Sequence, residues 1–211
     1  MIVADPVESG LIASLARPGG NLTGIATLSI TVTPKRLELL REILPSARRV
    51  AYLANPEQLS FALEWKAVEF AARKLRMDLV RFDATTVTEL DTALGELPAR
   101  RVDALMVGNA ILFLTYRRKL IEICARYRIP DMHAYGEAVA DGALVSYTSS
   151  ATEYFRKAAT YAHRILNGTK PADLPVEQPT KLELLINLKT AKALGIKIPQ
   201  SVLLRADRVI E

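Results

Sequence analysis

The 211-residue chain has one cysteine, two histidines and one tryptophan, and aromatic residues make up only 6% of it. A single cysteine excludes an internal disulfide framework and any multi-cysteine metal site. Cys124 falls at an apolar position of a helical pattern and reads as a small buried hydrophobe. With only His133 and His163 available, general acid–base catalysis has few agents. No apolar run approaches the roughly 20 residues that span a bilayer. The sequence has no Gly-x-Ser-x-Gly elbow, no Walker loop, no Gly-x-Gly-x-x-Gly and no His-Glu-x-x-His. No metal, no cofactor and no catalytic group is therefore expected. The opening Met-Ile-Val-Ala-Asp-Pro-Val has neither the basic nor the apolar region of a signal peptide. As written, the chain is expected to stay in the cytoplasm.

What is present is ordinary globular material, half apolar by residue type and 24% charged. Lys+Arg minus Asp+Glu is 28 − 23 = +5. Nucleic-acid binding would concentrate that charge on one face. Here the basic residues are scattered, and the run Arg117-Arg118-Lys119 sits close to Glu122. No nucleic-acid partner is expected.

From about residue 35 one pattern recurs. Leu37, Leu40 and Leu44 mark a helix face that Pro45 stops. The apolar run Val50–Ala54 follows, ended by Asn55-Pro56. Phe61, Trp65, Val68 and Ala72 trace the next helix, and strands are expected at Leu79–Phe82, Val102–Val107, Ile129–His133 and Ala143–Tyr147. Helices between them carry Leu90, Leu94 and Leu97, then Leu120, Ile121 and Cys124. Strand starts recur every 24 to 28 residues, the length of a βα unit. Short Val/Ile/Leu-rich strands with little alternation suit a parallel sheet covered on both faces. The spacing predicts a doubly wound α/β layer. Before it, residues 1–30 read as two short strands, a short helix at Leu11–Leu15 and a turn at Pro18-Gly19-Gly20-Asn21. After it comes a helix over about 152–166 with the stripe Phe155, Ala158, Ala162 and Ile165. A Pro-rich connector, a strand at Leu182–Ile186 and a helix capped by Gly195 complete the chain.

In an open parallel sheet, ligands bind beyond the carboxyl ends of the strands. The residues there are Asn55, Asp83, Gly108-Asn109, His133 with Tyr135, and Ser146-Tyr147. This rim is rich in amide, hydroxyl and phenol groups and poor in charge, a set that orients a small polar or aromatic ligand. Each member also has a plainer use: Asn55 before Pro56 as a strand-ending turn, Asp83 as a helix N-cap, His133 and Tyr147 as satisfied core groups. An Asp131/His133/Ser146 triad can be written, but nothing in the sequence activates Ser146.

Two long motifs carry a resemblance. The first runs from Asp5-Pro6-Val7 through Gly10-Leu11 and Ser14-Leu15-Ala16-Arg17-Pro18-Gly19-Gly20-Asn21 to Thr23-Gly24. The second joins Leu166-Asn167-Gly168 and Lys170-Pro171-Ala172-Asp173-Leu174-Pro175 to Pro179-Thr180-Lys181-Leu182-Glu183-Leu184 and Ile186–Gly195. Together they resemble the ABC-transporter substrate-binding proteins common in rhizobia, whose Gram-positive relatives bind tryptophan and other aromatic amino acids. The resemblance implies a type I periplasmic-binding-protein-like fold, with ligand held between two doubly wound lobes. Residues 1–32 then correspond to a remnant of the first lobe and 33–150 to the second. Residues 151–180 return toward the first lobe, and 181–211 pack on the second, so the chain reads as N-terminally truncated. The implied function is that of the solute-binding component of an importer. Its partners would be a small ligand and a membrane permease, its location the periplasm, and the exposed first-lobe remnant would favour self-association.

By the same resemblance Asp5 and Asn21 belong to first-lobe cleft loops, and Asn55, Ser146 and Tyr147 to the second-lobe rim. Many relatives place an acidic residue after the third strand, where this chain has Ala110 following Asn109. A carboxylate is the natural partner of an α-ammonium group. Without it, a neutral or anionic ligand, or one held by Tyr135 and Asn109, fits equally. Two alternatives stay open: a ligand-sensing regulatory domain, which would need a DNA-binding headpiece, and a flavodoxin-like enzyme, which would need a phosphate loop or a nucleophile.

Overall fold

The alternation of apolar runs and helical stripes becomes a layered α/β architecture in the computed structural model, which describes residues 2–211. The chain opens with β1 (Ile2–Ala4) and β2 (Ile25–Thr27). Then α1 (Ser29–Ile43), β3 (Arg49–Ala54), α2 (Phe61–Leu75), β4 (Asp78–Asp83) and α3 (Val87–Glu96) alternate. They are followed by β5 (Ala104–Val107), α4 (Ile111–Thr115), α5 (Arg117–Tyr127), β6 (Asp131–His133), α6 (Glu137–Ala140) and β7 (Val145–Thr148). The end of the chain holds α7 (Ala151–Leu166), β8 (Glu183–Asn187), α8 (Leu188–Leu194), α9 (Gln200–Leu203) and β9 (Arg208–Ile210). These elements divide into two units: Met1–Ile30 with Ser149–Leu182, and Thr31–Thr148 with Glu183–Glu211.

The larger unit is built on a seven-stranded sheet in the order β4-β3-β5-β6-β7-β8-β9. Its neighbours pair in parallel except β7 with β8, which run antiparallel. That reversal is absent from the sequence-based expectation. It arises because β8 enters the sheet after the chain has left the unit and returned, not through a crossover helix. Both faces of the sheet are covered. Val50, Tyr52 and Met106 point toward Leu37 and Leu40 of α1 and Val68 of α2. Ala51, Leu53 and Leu105 point toward Leu90 of α3 and Leu120 and Cys124 of α5. Strands buried on both faces need no polar alternation, which is why they read as continuous apolar runs.

Three helical turns in this unit end on arginine in the left-handed region, a backbone state usually left to glycine. They are Arg76, Arg101 and Arg128, with φ of +54°, +50° and +56°. α8 instead ends at Gly195, as the sequence predicts. α1 reaches back to Ser29, beyond the face marked by Leu37, Leu40 and Leu44, and carries Pro34 inside it. α9 and β9 lie in a stretch for which the sequence suggested no element.

In the smaller unit β1 and β2 pair in parallel, and Ile25 bridges to Glu177 on a third, isolated segment. The expected helix at Leu11–Leu15 is absent. Leu11 and Ile12 donate instead to the Pro6 carbonyl, and Ala13 to that of Pro18. The seven residues between Gly10 (φ +68°) and Pro18 are too few to repay helix nucleation. Ile12 joins Ala26 and Val176 in a small core. The stripe expected on α7 faces outward: Phe155 is 69% and Ile165 36% exposed, whereas Tyr161 is buried. Tyr161 is fixed by its hydroxyl, which donates to the Pro175 carbonyl at 2.7 Å and to Glu177 at 2.9 Å.

Candidate functional site

The carboxyl ends of β3, β5, β6 and β7 place Asn55, Asn109, Tyr135 and Tyr147 along one edge of the larger unit's sheet. The Asn55 side chain accepts from the Glu57 amide at 3.0 Å and shapes the turn after β3. Gln58, from the same turn, donates to the Asn109 carbonyl and ties the β3 and β5 rims together. Gly108 admits no side chain. A Cβ there would lie 2.8 Å from the Leu53 carbonyl oxygen and 3.2 Å from the Tyr52 hydroxyl.

Tyr135 is half-buried, and its hydroxyl has no hydrogen-bond partner among the described residues. Burial pushes its pKa to about 12, with Arg36 opposing the rise and Glu137 and Glu64 adding to it. It is therefore a neutral donor and acceptor throughout the ordinary pH range. Tyr147 is half-buried and packs against the core on the α1/α2 face. Ser146 is fully buried, and its Oγ has no partner among the described residues.

His133 takes the plainer of its two uses. It is 2% exposed, and its Nε2 meets Asp131 Oδ2 at 2.9 Å, while the other Asp131 oxygen accepts from the Leu144 amide at 2.8 Å. This pair satisfies buried polar atoms between neighbouring strands. Ser146 lies opposite His133 in the sheet register, but no hydrogen bond joins them. The written triad is thus not assembled as a nucleophile and base. Asp83 forms an exposed ion pair with Arg81 on the edge strand β4.

Asp5 and Asn21 belong to the smaller unit. Asp5 has φ of +44° and opens a turn: its carbonyl accepts from the amide and hydroxyl of Ser9, and its carboxylate from the Glu8 amide at 3.3 Å. Asn21 is exposed in the loop before β2.

Beneath the larger unit's rim lies a group the sequence reading missed. Glu64, in the first turn of α2, is 2% exposed. Its Oε1 accepts from the Tyr52 hydroxyl and from Thr33 Oγ1, both at 2.7 Å. Thr33 in turn accepts from Arg36 at 3.3 Å, and Arg36 Nε donates to the Tyr147 carbonyl at 2.8 Å. Burial, with Glu64 beside it, pushes the Tyr52 pKa well above its ordinary value. Glu64 and Arg36 look like surface residues of amphipathic helices in one dimension. The available signal was position: Glu64 falls in the first turn of α2 and Arg36 about two turns into α1.

The family model described as ABC transporter substrate binding protein matches residues 1–210. The chain belongs to that family. It is 29% identical over 196 residues to a tyrosine-binding protein of Clostridioides difficile, covering 92% of this chain and 56% of the relative. The chain thus spans little more than half the length of that curated relative. A conserved domain protein from Vibrio cholerae is 27% identical with a TM-score of 0.89, covering 98% of this chain and 69% of that one. A Streptococcus pneumoniae domain solved with L-Trp has the same TM-score of 0.89 at 24% identity, covering 99% and 70% of the two chains. A solute-binding protein from Actinobacillus succinogenes with bound D-allose shares the fold at a TM-score of 0.62 and 10% identity. The fold class expected from the spacing and the resemblance, α/β with a mostly parallel, doubly wound sheet of type I periplasmic-binding-protein kind, is the one these neighbours share.

Proposed function

We propose that this chain forms part of the solute-binding component of an ABC importer. In this reading it binds a small aromatic or amino-acid-like ligand and catalyses no reaction. The observation that carries the reading is the uncharged, hydroxyl- and amide-bearing rim at the carboxyl edge, in a chain whose family match spans residues 1–210. The larger unit supplies the second-lobe half of the site. Tyr135 and Tyr147 offer flat apolar faces with a hydroxyl each, and Asn55 and Asn109 offer amides. His133 holds β6 rather than ligand. Ligand that binds one conformation better than another shifts the population toward it, and a membrane permease reads that form. The protein would then work in the periplasm or at the cell exterior.

The ligand class follows from the tyrosine-binding relative together with the phenol-rich rim. A carboxylate after β5 is absent, and Glu64, 2% exposed and bonded to Tyr52 and Thr33, lies beneath the rim rather than in it. Native mass spectrometry of protein purified from its own source is the test. A retained aromatic amino acid is the expected result; a retained sugar or nucleotide overturns the ligand class. Ester, phosphate and glycoside substrates should turn over at background rates. Turnover that disappears with Ser146→Ala or His133→Ala overturns the non-enzymatic reading.

A further inference from the structure

We propose that Glu64 and Arg36, linked through Thr33, are positioning residues that hold the ligand-facing ends of β5 and β7 in place from beneath the rim. The inference rests on the reading of that rim as a ligand site. The sheet has a gap beneath this rim. β6 stops at His133, opposite Ser146, so Tyr147 and Thr148 run on without a β6 partner. The Tyr147 carbonyl accepts instead from Arg36 Nε at 2.8 Å. A guanidinium is planar and rigid at this bond, whereas an ammonium would be free to swing.

Arg36 is itself held. It is only 3% exposed, and it donates to Thr33 Oγ1, which donates to Glu64 Oε1. The same Glu64 oxygen accepts from the Tyr52 hydroxyl, whose tip lies where a side chain at position 108 would have to go. One carboxylate oxygen therefore anchors two paths. One runs through Thr33 and Arg36 to the main chain of Tyr147, and the other runs through Tyr52 to the turn that carries Asn109. Burying two opposite charges is a poor way to gain stability, because apolar residues of similar volume commonly do as well. A bonded chain of fixed geometry is a good way to set atoms in place. Arg36 and Glu64 also bias Tyr135 in opposite directions, so the third rim residue lies within the field of both.

Amide hydrogen exchange on the full chain without ligand tests this directly. Arg36→Met leaves Glu64 uncompensated, so a lowered melting temperature would not by itself discriminate. The double variant R36M/E64M removes both charges and should melt above Arg36→Met alone, although it leaves the Tyr52 and Thr33 hydroxyls without their acceptor. Its amides at 145–149 and 107–111 should nevertheless exchange about tenfold faster or more, through local opening, with α3, α5 and β4 unchanged. Unchanged exchange at both ends, or acceleration spread evenly through the larger unit, overturns the proposal. Titration of L-tyrosine against Tyr135→Ala and Tyr147→Ala reports separately on the rim. If both variants titrate like the parent, the site reading falls, whatever the exchange data show about the brace.

Discussion

The two units solve the burial problem to very different extents. The larger one sandwiches a seven-stranded sheet between two apolar clusters, and its central strands have no exposed face. The smaller one has a two-stranded parallel sheet, a core of Ile12, Ala26 and Val176, and a helix whose Phe155 and Leu166 face outward. Parallel strands are stable when both faces are covered, and an isolated pair is marginal at best. The difference implies that global stability resides in the larger unit, while the smaller opens at lower cost.

The largest expected effect breaks that asymmetry at its strong end. Leu120→Ala removes a fully buried side chain beneath the sheet and should cost about 2–5 kcal/mol in urea unfolding. Ile12→Ala in the smaller unit should leave the main transition in place and accelerate amide exchange only around β1 and β2. Equal losses from the two variants would show that the units share one cooperative core.

The second effect concerns binding. Tyr135→Ala should lower affinity for L-tyrosine by about 1–3 kcal/mol, because a flat partly apolar face is lost. Its half-buried position predicts a smaller fall in melting temperature than Tyr52→Ala, which empties a site 2% exposed and removes a donor to Glu64. Calorimetry and thermal melts on the same two variants separate a rim tyrosine from a core one.

The same contrast sets how much could be read from sequence. Val50–Ala54 and Ala104–Val107 are uniformly apolar because both their faces are buried, and short runs of that kind give strand positions almost directly. The antiparallel β8 could not be read, since Leu184 and Ile186 are as apolar as residues of a parallel strand. Nor could the facing of α7, where Tyr161 points inward because its hydroxyl reaches Glu177 and Pro175. The rim residues follow from strand ends alone, a rule of topology. Glu64 and Arg36 do not, because a charged residue on an amphipathic helix is usually solvated, and only the three-dimensional approach of α1, α2 and β7 buries them.

A third effect is smaller and of opposite sign. Arg128 caps α5 with φ of +56°, a conformation that costs an L-residue about 1 kcal/mol or more relative to glycine. Arg128→Gly should therefore raise the stability of the larger unit by about 0.5–1 kcal/mol. Asp5→Gly relieves a similar strain in the smaller unit, at φ of +44°, and should leave the global transition unmoved. A gain from Asp5→Gly equal to that from Arg128→Gly would count against the asymmetry.

The smallest effect compares one phenol from each unit. Tyr135 and Tyr161 both have pKa values raised to about 12, the first chiefly by burial, the second by burial together with its hydrogen bond to Glu177. A folded-state value above the unfolded one, near 10, means that the native form keeps its proton longer. The associated stability is complete below pH 10 and is lost as pH rises toward 12. Ultraviolet titration should therefore show two late-ionising tyrosines beside Tyr52, which burial and Glu64 also hold well above its ordinary value. Glu177→Gln should bring Tyr161 part of the way back toward 10 and leave Tyr135 where it is. Lys157, which donates to Glu177 at 2.6 Å and with Tyr161 holds that carboxyl below its usual range, would lose its partner in the same variant. The Glu177 contribution in the parent is present above the ordinary carboxylate pKa and fades as pH falls through the lowered one. Acid should thus loosen the contacts of the smaller unit around β2 before the larger unit responds. Simultaneous loss of both units on acidification would show that the Glu177 cluster does not act locally.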